Sequence, residues 1–186
     1  MKLAFYLMTL VAAGTLCAAE PTYTCSMKLG NPKFESHVSE TGKDNGNNNW
    51  RRRNRKQVET LRRKMICPVT VAFRGKEFPA DVKLKYIFLG QTNGKTTIMQ
   101  SQTQPVALNE KGDFTIDLVS PEAVLVTTKR RTSRRSTSET KGSRISGCIV
   151  QLYVGEKMVR YGTTKPAWAS VAKKASPPDE ELLKLR

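Results

Sequence analysis

Two stretches of the chain, residues 65–90 and residues 146–162, alternate apolar and polar positions with a period of two. This period is typical of β-strands that bury one face. In the first stretch the residues predicted to face the core are Cys67, Val69, Val71 and Phe73 and, after a turn at Gly75 and Lys76, Val82, Leu84, Tyr86 and Phe88. In the second they are Cys148, Val150, Leu152 and Val154. We therefore expect these two stretches to build the core of the fold.

Shorter segments with strand character surround the two core stretches. They are residues 21–29, 96–100, 113–119 and 123–128, and we expect residues 96–100 to lie at a sheet edge. Turn signals separate these segments, and no long amphipathic helix is predicted. The sequence thus predicts an all-β protein, an immunoglobulin-like antiparallel β-sandwich of seven to nine strands with long basic loops or strand extensions. A β-barrel is the alternative architecture.

Composition divides the chain into a leader, one domain and a tail. Residues 1–19 place an apolar run after Lys2 and end in small residues, as a secretory signal does. That run is shorter than the roughly 20 apolar residues that span a bilayer, so we expect no membrane span once the signal is removed. Residues 20–165 form the predicted domain, in which the polar segment 30–50 is a predicted mobile loop. Residues 166–186 are a predicted C-terminal tail, too short for a stable isolated helix.

The charge of the chain points to an anionic partner outside the cytoplasm. Its 32 Lys and Arg exceed its 16 Asp and Glu, which gives a formal net charge of +16. Such a charge favours contact with polyanions. Together with the leader, it predicts a protein that is secreted, periplasmic or on the outer cell surface.

Basic residues are concentrated in two segments, which we call the basic arms: residues 51–64 and residues 129–144. The first is predicted to be an extended strand that continues into Met65, with a helix as the alternative. The second is predicted to be a long hairpin arm or a loop. If the core strands that follow the arms are neighbours, the arms form one cationic surface. The candidate polyanion-binding residues are Arg51, Arg52, Arg53, Arg55, Lys56, Arg62, Arg63, Lys64, Lys129, Arg130, Arg131, Arg134, Arg135, Lys141 and Arg144.

The function that these patterns predict is an exported, non-enzymatic binding or adhesion module that docks on an anionic glycan, an envelope surface or another polyanion. Arginine outnumbers lysine in both arms, and its planar guanidinium can hold a sulfate, phosphate or carboxylate with two hydrogen bonds. A solvated surface that only keeps the protein soluble would explain the same charge. Two further hypotheses are assembly by strand pairing at the edge strand and nucleic-acid binding; Trp50 is the only aromatic residue at either arm for base stacking.

Signals for catalysis and for cofactors are lacking in the sequence. It has no G-x-S-x-G, no H-E-x-x-H and no phosphate-binding loop, and His37 is its only histidine. Asp113 and Asp117 share the polar face of a predicted strand, where solvent exposure is the expected state. No cysteine pair has the spacing of a metal site. We therefore predict no enzyme activity, no catalytic residue, no metal and no cofactor.

Three cysteines follow the leader, namely Cys25, Cys67 and Cys148, and all three fall on apolar faces. A disulfide between Cys67 and Cys148 would join the two core stretches in an oxidising compartment. Three buried free thiols, acting as small apolar side chains, are the alternative.

Residues 51–168 resemble a family of uncharacterised secreted proteins from bacteria of the Planctomycetes–Verrucomicrobia group. The matching pieces are the basic stretch that runs into M-I-C-P-V-T-V-A-F, the strand A-D-V-K-L-K-Y-I-F-L-G, the Ser/Thr/Arg-rich residues 127–143, and G-C-I-V-Q-L-Y-V-G-E-K-M-V-R followed by K-P-A-W. The resemblance implies an immunoglobulin-like sandwich that is exported to the periplasm, the outer membrane or the exterior. It also implies an association with type IV pilus or surface-adhesion systems, as for some proteins of this kind, and it supplies no catalytic residues.

Overall fold

Nine antiparallel strands, joined in one continuous open sheet, form most of the part of the chain that the structure describes. The structure is a computed structural model, and it describes residues 23–41, 55–131 and 135–185. The strands are β1 (Tyr23–Leu29), β2 (Lys33–Thr41), β3 (Arg55–Gly75), β4 (Val82–Thr92), β5 (Lys95–Pro105), β6 (Asp113–Val119), β7 (Ala123–Arg131), β8 (Ser136–Val154) and β9 (Lys157–Thr163). In the same residues, helix is limited to a 3₁₀ turn at Pro166–Trp168 and two short helices, α1 (Ala169–Ala172) and α2 (Asp179–Leu183). The predicted all-β class and strand number are confirmed.

Several predictions concern residues outside these ranges. They are the signal segment 1–19, residues 42–50 of the expected loop, and four candidate binding residues, Arg51, Arg52, Arg53 and Arg134.

Two long strands, β3 and β8, connect the parts of the sheet. The second half of β3 lies between β1 and β6, whereas its first half lies between β2 and β7. The first third of β8 pairs with β7, and the remainder pairs with β4 and β9. Beyond β4 the sheet continues to β5. The expectation that the first basic arm runs as a strand into Met65 is confirmed from Arg55 onwards, and the second arm is a hairpin of β7 and β8.

One apolar cluster contains side chains from both halves of this sheet. It includes the predicted core positions of β3, β4 and β8: Cys67, Val69, Val71, Phe73, Val82, Leu84, Tyr86, Phe88, Cys148, Val150 and Leu152. All of these residues are buried, and Met65, Phe114 and Leu118 join them. The period-two alternation therefore identified the core correctly, except that Val154 is only partly buried.

The segment Lys33–Thr41, placed in a predicted mobile loop, is strand β2, and the loop prediction is wrong for these nine residues. The strand pairs along its whole length with β3, from Lys33 opposite Ile66 to Thr41 opposite Val58. All nine residues are exposed, so the strand has no buried face. Because the alternation signal depends on a buried face, this strand leaves no pattern in the sequence.

The residues predicted to be a C-terminal tail pack against the outer face of β4 and β8. We call residues 166–185 the C-terminal cover. Trp168, Ala172 and Leu182 of the cover form a second apolar cluster with Ile87, Leu89 and Ile149 of the sheet. The predicted tail therefore contains two short helices, because tertiary burial stabilises helices that are too short to form alone. No helix in the described parts of the chain has the length and apolar character needed to cross a membrane.

Candidate polyanion-binding surface

The two basic arms lie side by side in a four-stranded region that we call the arm sheet: β2, the first half of β3, β7 and the first third of β8. In the register of β3 and β7, Arg55 is opposite Arg131, Lys56 is opposite Arg130, and Gln57 is opposite Lys129. The core strands that follow the arms, β3 and β8, are not paired with each other in the described sheet. The arms are brought together by β7, which carries the first residues of the second arm, pairs with the first arm on β3 and lies between β3 and β8.

The predicted binding residues that the structure describes are distributed over three strands of the arm sheet. Arg55, Lys56, Arg62, Arg63 and Lys64 are on β3, Lys129, Arg130 and Arg131 are on β7, Lys141 and Arg144 are on β8, and Arg135 immediately precedes β8. These residues come together through backbone pairing between strands that are far apart in sequence. Neither the period of apolar positions nor the composition of the chain reveals that pairing.

Three of these cations form ion pairs with acidic residues of the same region. Arg62 lies 2.9 Å from a carboxylate oxygen of Glu122, Lys129 lies 3.0 Å from Glu59, and Lys141 lies 2.7 Å from Glu139. The hydrogen bond from Lys141 lowers the pKa of Glu139. These pairs reduce the charge that the arm sheet offers to a partner, and the long-range pairs of Arg62 and Lys129 are not apparent from the sequence.

Four other cations, Arg63, Lys64, Arg130 and Arg144, form no ion pair with a carboxylate among the described residues. The guanidinium carbon of Arg63 lies 4.0 Å from the centre of the Phe34 ring on β2. This cation–π contact orients the guanidinium without neutralising it. The unpaired cations are the part of the arm sheet best able to hold an anion.

Arg63 and Arg144 line the same groove, which has a volume of about 300 Å³. Its other lining residues are Leu61, Ala123, Leu125, Ser143 and Ile145. A volume of this size is at the lower end of the range for ligand sites, roughly 300 to 1,000 Å³. The lining therefore combines aliphatic residues with two arginines, a combination that suits a small anionic group on a larger ligand.

The groove forms where β8 leaves β7 and pairs with β4. Gly142 is still opposite Leu125 on β7, and the next residue, Ser143, is opposite Thr92 on β4. Gly142 has a φ of 125°, and a Cβ at this position would overlap the carbonyl oxygen of Val124. Glycine is thus required at this corner. The hydroxyl of Ser143 accepts a hydrogen bond from the Val124 amide at 3.3 Å, which ties the corner to β7.

Two further depressions share lining residues with the groove. Arg144 and Leu125 also line a depression of about 220 Å³ with residues of the β4–β5 turn. A third depression, of about 210 Å³, contains His37, which is opposite Arg62 in the register, together with Lys64 and Glu122. His37 is an exposed strand residue here, and the depression around it is lined by both basic and acidic side chains.

The acidic residues weighed as catalysts lie on β6, away from the arm sheet. A carboxylate oxygen of Asp113 lies 2.5 Å from Arg74, and Asp117 is exposed. In the described residues, no group of three or more His, Cys, Asp or Glu side chains could hold a metal ion.

The chain matches no protein-family model, no curated protein and no solved structure. Its resemblance to secreted proteins of the Planctomycetes–Verrucomicrobia group therefore stays a prediction.

Proposed function

We propose that the protein is an exported, non-enzymatic binding module whose arm sheet docks on an anionic glycan, an envelope surface or another polyanion. One observation carries this proposal: backbone pairing between β3 and β7 places the two basic arms next to each other. Cations from positions as far apart in sequence as Arg63 and Arg144 thereby act on the same ligand. Export rests on the leader-like residues 1–19, and the charge of +16 suits an anionic surface.

Arginine side chains give this surface its proposed chemistry. Arg63 and Arg144 line one groove, and neither has a carboxylate partner among the described residues. Each guanidinium can donate two parallel hydrogen bonds to a sulfate, a phosphate or a carboxylate. Among the described residues, the groove lining contains no aromatic side chain on which a nucleic-acid base could stack. This favours a glycan, or another polyanion that is bound through its charged groups, over single-stranded nucleic acid.

For the fold, the proposal includes an immunoglobulin-like sandwich. Side chains of β3 and β6 share the main apolar cluster with side chains of β4 and β8. In the described sheet β3 pairs with neither β4 nor β8, so these strands meet through side chains rather than through backbone hydrogen bonds. Face-to-face contact of this kind is the defining feature of a sandwich.

Binding to immobilised sulfated glycan and to duplex DNA, measured over a salt series, tests the proposal. The test variant carries Lys64→Glu, Arg130→Glu and Arg144→Glu, three exposed residues without ion pairs in the described region. The control carries Lys28→Glu, Lys157→Glu and Lys173→Glu, which are exposed, lie outside the arm sheet and change the net charge equally. We expect the test variant to lose retention and the control to keep most of it.

Equal losses in the two variants would show that only total charge matters and would overturn the proposal. The salt series separates the ligand classes, because binding to duplex DNA should weaken with a log–log slope of about 0.9 per phosphate contacted. Retention that persists on the glycan but not on DNA would support a glycan or envelope partner. Unfolding curves of both variants exclude a loss of fold as the cause.

A second candidate function, assembly by strand pairing, is favoured by one observation. In the described sheet β5 pairs with β4 alone, as expected for residues 96–100 at a sheet edge, and one end of the strand is held by a hydrogen bond from the Thr96 hydroxyl to the Leu185 carbonyl. An exposed edge can accept a strand from another chain. Thr103→Pro, with folding verified by circular dichroism, should then prevent recovery of a complex from cells. A complex that is recovered intact would count against this second function.

A further inference from the structure

Two cysteine side chains from different parts of the sheet meet inside the main core. Cys67 lies on β3, opposite Leu118 of β6, and Cys148 lies on β8, opposite Phe88 of β4. Both residues are completely buried and belong to the same apolar cluster. The two thiols lie close enough for each to shift the pKa of the other, so their side chains are neighbours within this cluster.

The third cysteine is too far away to compete for either partner. Cys25 lies on β1 opposite Phe73, and Phe73 is six residues along β3 from Cys67. At about 3.3 Å per strand residue, this separation is roughly 20 Å. A disulfide requires Cα atoms within about 7 Å of each other. Because Cys148 contacts Cys67, it is also beyond the reach of Cys25. The topology thus selects one pair from the three that are possible.

We propose that Cys67 and Cys148 form a disulfide in the mature protein and that Cys25 remains a thiol. The structure shows the reduced state, in which all three cysteines are free. Oxidation proceeds by exchange with a disulfide oxidant, such as glutathione disulfide or a disulfide-bearing oxidoreductase. One cysteine thiolate attacks that disulfide and releases a thiol, and the second thiolate then displaces the other half of the oxidant. The cysteines lose two protons and two electrons, and the oxidant is reduced to two thiols.

Burial determines when this bond forms. An oxidant does not reach two completely buried sulfur atoms in the folded protein, so the exchange takes place while the core is open during folding. The bond closes a loop of about 80 residues, and a loop of that length restricts the unfolded chain strongly. It would also fasten β3 to β8, the two strands from which the arm sheet extends. The disulfide is therefore a structural one, and it stabilises the part of the core from which the basic arms project.

Refolding in a glutathione redox buffer tests this pairing without reference to export or to any ligand. The protein is the full chain with Cys17→Ser, since Cys17 lies outside the described residues and would otherwise take part in exchange. After unfolding, refolding and alkylation under denaturing conditions, we expect one alkylated cysteine, Cys25, and one disulfide-linked peptide pair that contains Cys67 and Cys148. The intact mass before alkylation should be lower than that of the reduced protein by two hydrogen atoms.

Two variants make the outcome decisive. Adding Cys25→Ser should leave the disulfide in place and abolish alkylation, whereas adding Cys148→Ala should leave two alkylated cysteines and no disulfide. Three alkylated thiols in protein that has regained its native circular dichroism would overturn the proposal. So would a disulfide that includes Cys25.

Discussion

The ammonium nitrogen of Lys129 lies 3.0 Å from a carboxylate oxygen of Glu59, a residue seventy positions earlier in the chain. The pair joins β7 to β3 inside the arm sheet. Both side chains are partly exposed, so the attraction is screened by solvent and adds little to stability. Its larger effect is on the charge of the arm sheet, because Glu59 neutralises Lys129, a cation that would otherwise be available to an anionic partner.

Replacing Glu59 with Gln should strengthen polyanion binding. The substitution removes the negative charge beside Lys129 while keeping the size of the side chain. We expect the variant to leave immobilised sulfated glycan at a higher salt concentration than the parent protein does. Its free energy of unfolding should stay within about 1 kcal/mol of the parent value.

Glu156→Gln is the matched control for this change. Glu156 is almost fully exposed, lies in the turn after β8 and approaches Lys83 at 3.6 Å, outside the arm sheet. It changes the net charge by the same amount. If Glu156→Gln delayed elution as much as Glu59→Gln, binding would depend on total charge and the arm sheet would have no special role.

Gly142→Ala should destabilise the fold at the corner where β8 passes from β7 to β4. Its φ of 125° is unfavourable for any other residue, and the added Cβ would overlap the Val124 carbonyl oxygen. We expect a loss on the order of 3 kcal/mol in the free energy of unfolding. Gly155→Ala serves as the control, because Gly155 also has a positive φ, 58°, but open space around it. Its expected cost is about 1 kcal/mol. Equal costs, measured by urea unfolding, would mean that the corner tolerates the extra carbon.

Sequence patterns predict strands that bury one face and expose the other. They do not reveal strands whose two faces are equally exposed. In β3 the residues from Met65 to Phe73 alternate between fully buried and less buried positions, and this alternation is visible in the letters alone. In β2 all nine residues are exposed, so its place in the sheet depends on hydrogen bonds to β3 that leave no pattern. Trp168 and Leu182 are likewise uninformative in the sequence, because their burial depends on the outer faces of β4 and β8.

For the site, the sequence located most of the cations but not their partners. The basic arms are obvious from composition, and eleven of the fifteen candidate residues lie in the described arm sheet or at its margin. Phe34 beneath Arg63, and Glu59 beside Lys129, depend on the register of β3 with β2 and β7. Register is set by long-range pairing, which single-sequence patterns do not contain.

Leu182→Ala should show that the C-terminal cover contributes to the stability of the fold. Leu182 is 2% exposed and packs in the second apolar cluster with Trp168 and Ile149. Truncating a leucine at such a site costs about 2 to 5 kcal/mol. Leu183→Ala is the control in the same helix, since Leu183 is 46% exposed and should cost well under 1 kcal/mol. Thermal or urea unfolding measures both variants. A small effect at both positions would mean that the cover does not unfold together with the sheet.

Alkaline pH should destabilise the reduced protein. Burial raises the pKa of Tyr86 and Tyr153 above the ordinary phenol value of 10.0, and it raises the pKa of Cys25 and Cys148 above the ordinary thiol value of 9.0. Below about pH 9 these groups are protonated in the folded and the unfolded chain alike, so they do not make stability depend on pH. At higher pH the unfolded chain releases protons that the folded chain retains. The free energy of unfolding should therefore fall between about pH 9 and about pH 11, as urea midpoints would show.

The same titration distinguishes the thiols from the phenols. The interaction with Cys148 lowers the pKa of Cys67, so this thiol opposes the loss of stability at alkaline pH. Burial acts more strongly on Cys148 and raises its pKa. In protein with the proposed Cys67–Cys148 disulfide neither sulfur can titrate, so the fall that begins near pH 9 should become smaller, while the fall above pH 10 from the two tyrosines should remain. Stability that stayed constant up to about pH 11 in the reduced protein would contradict this assignment, since buried phenols and thiols must resist ionisation.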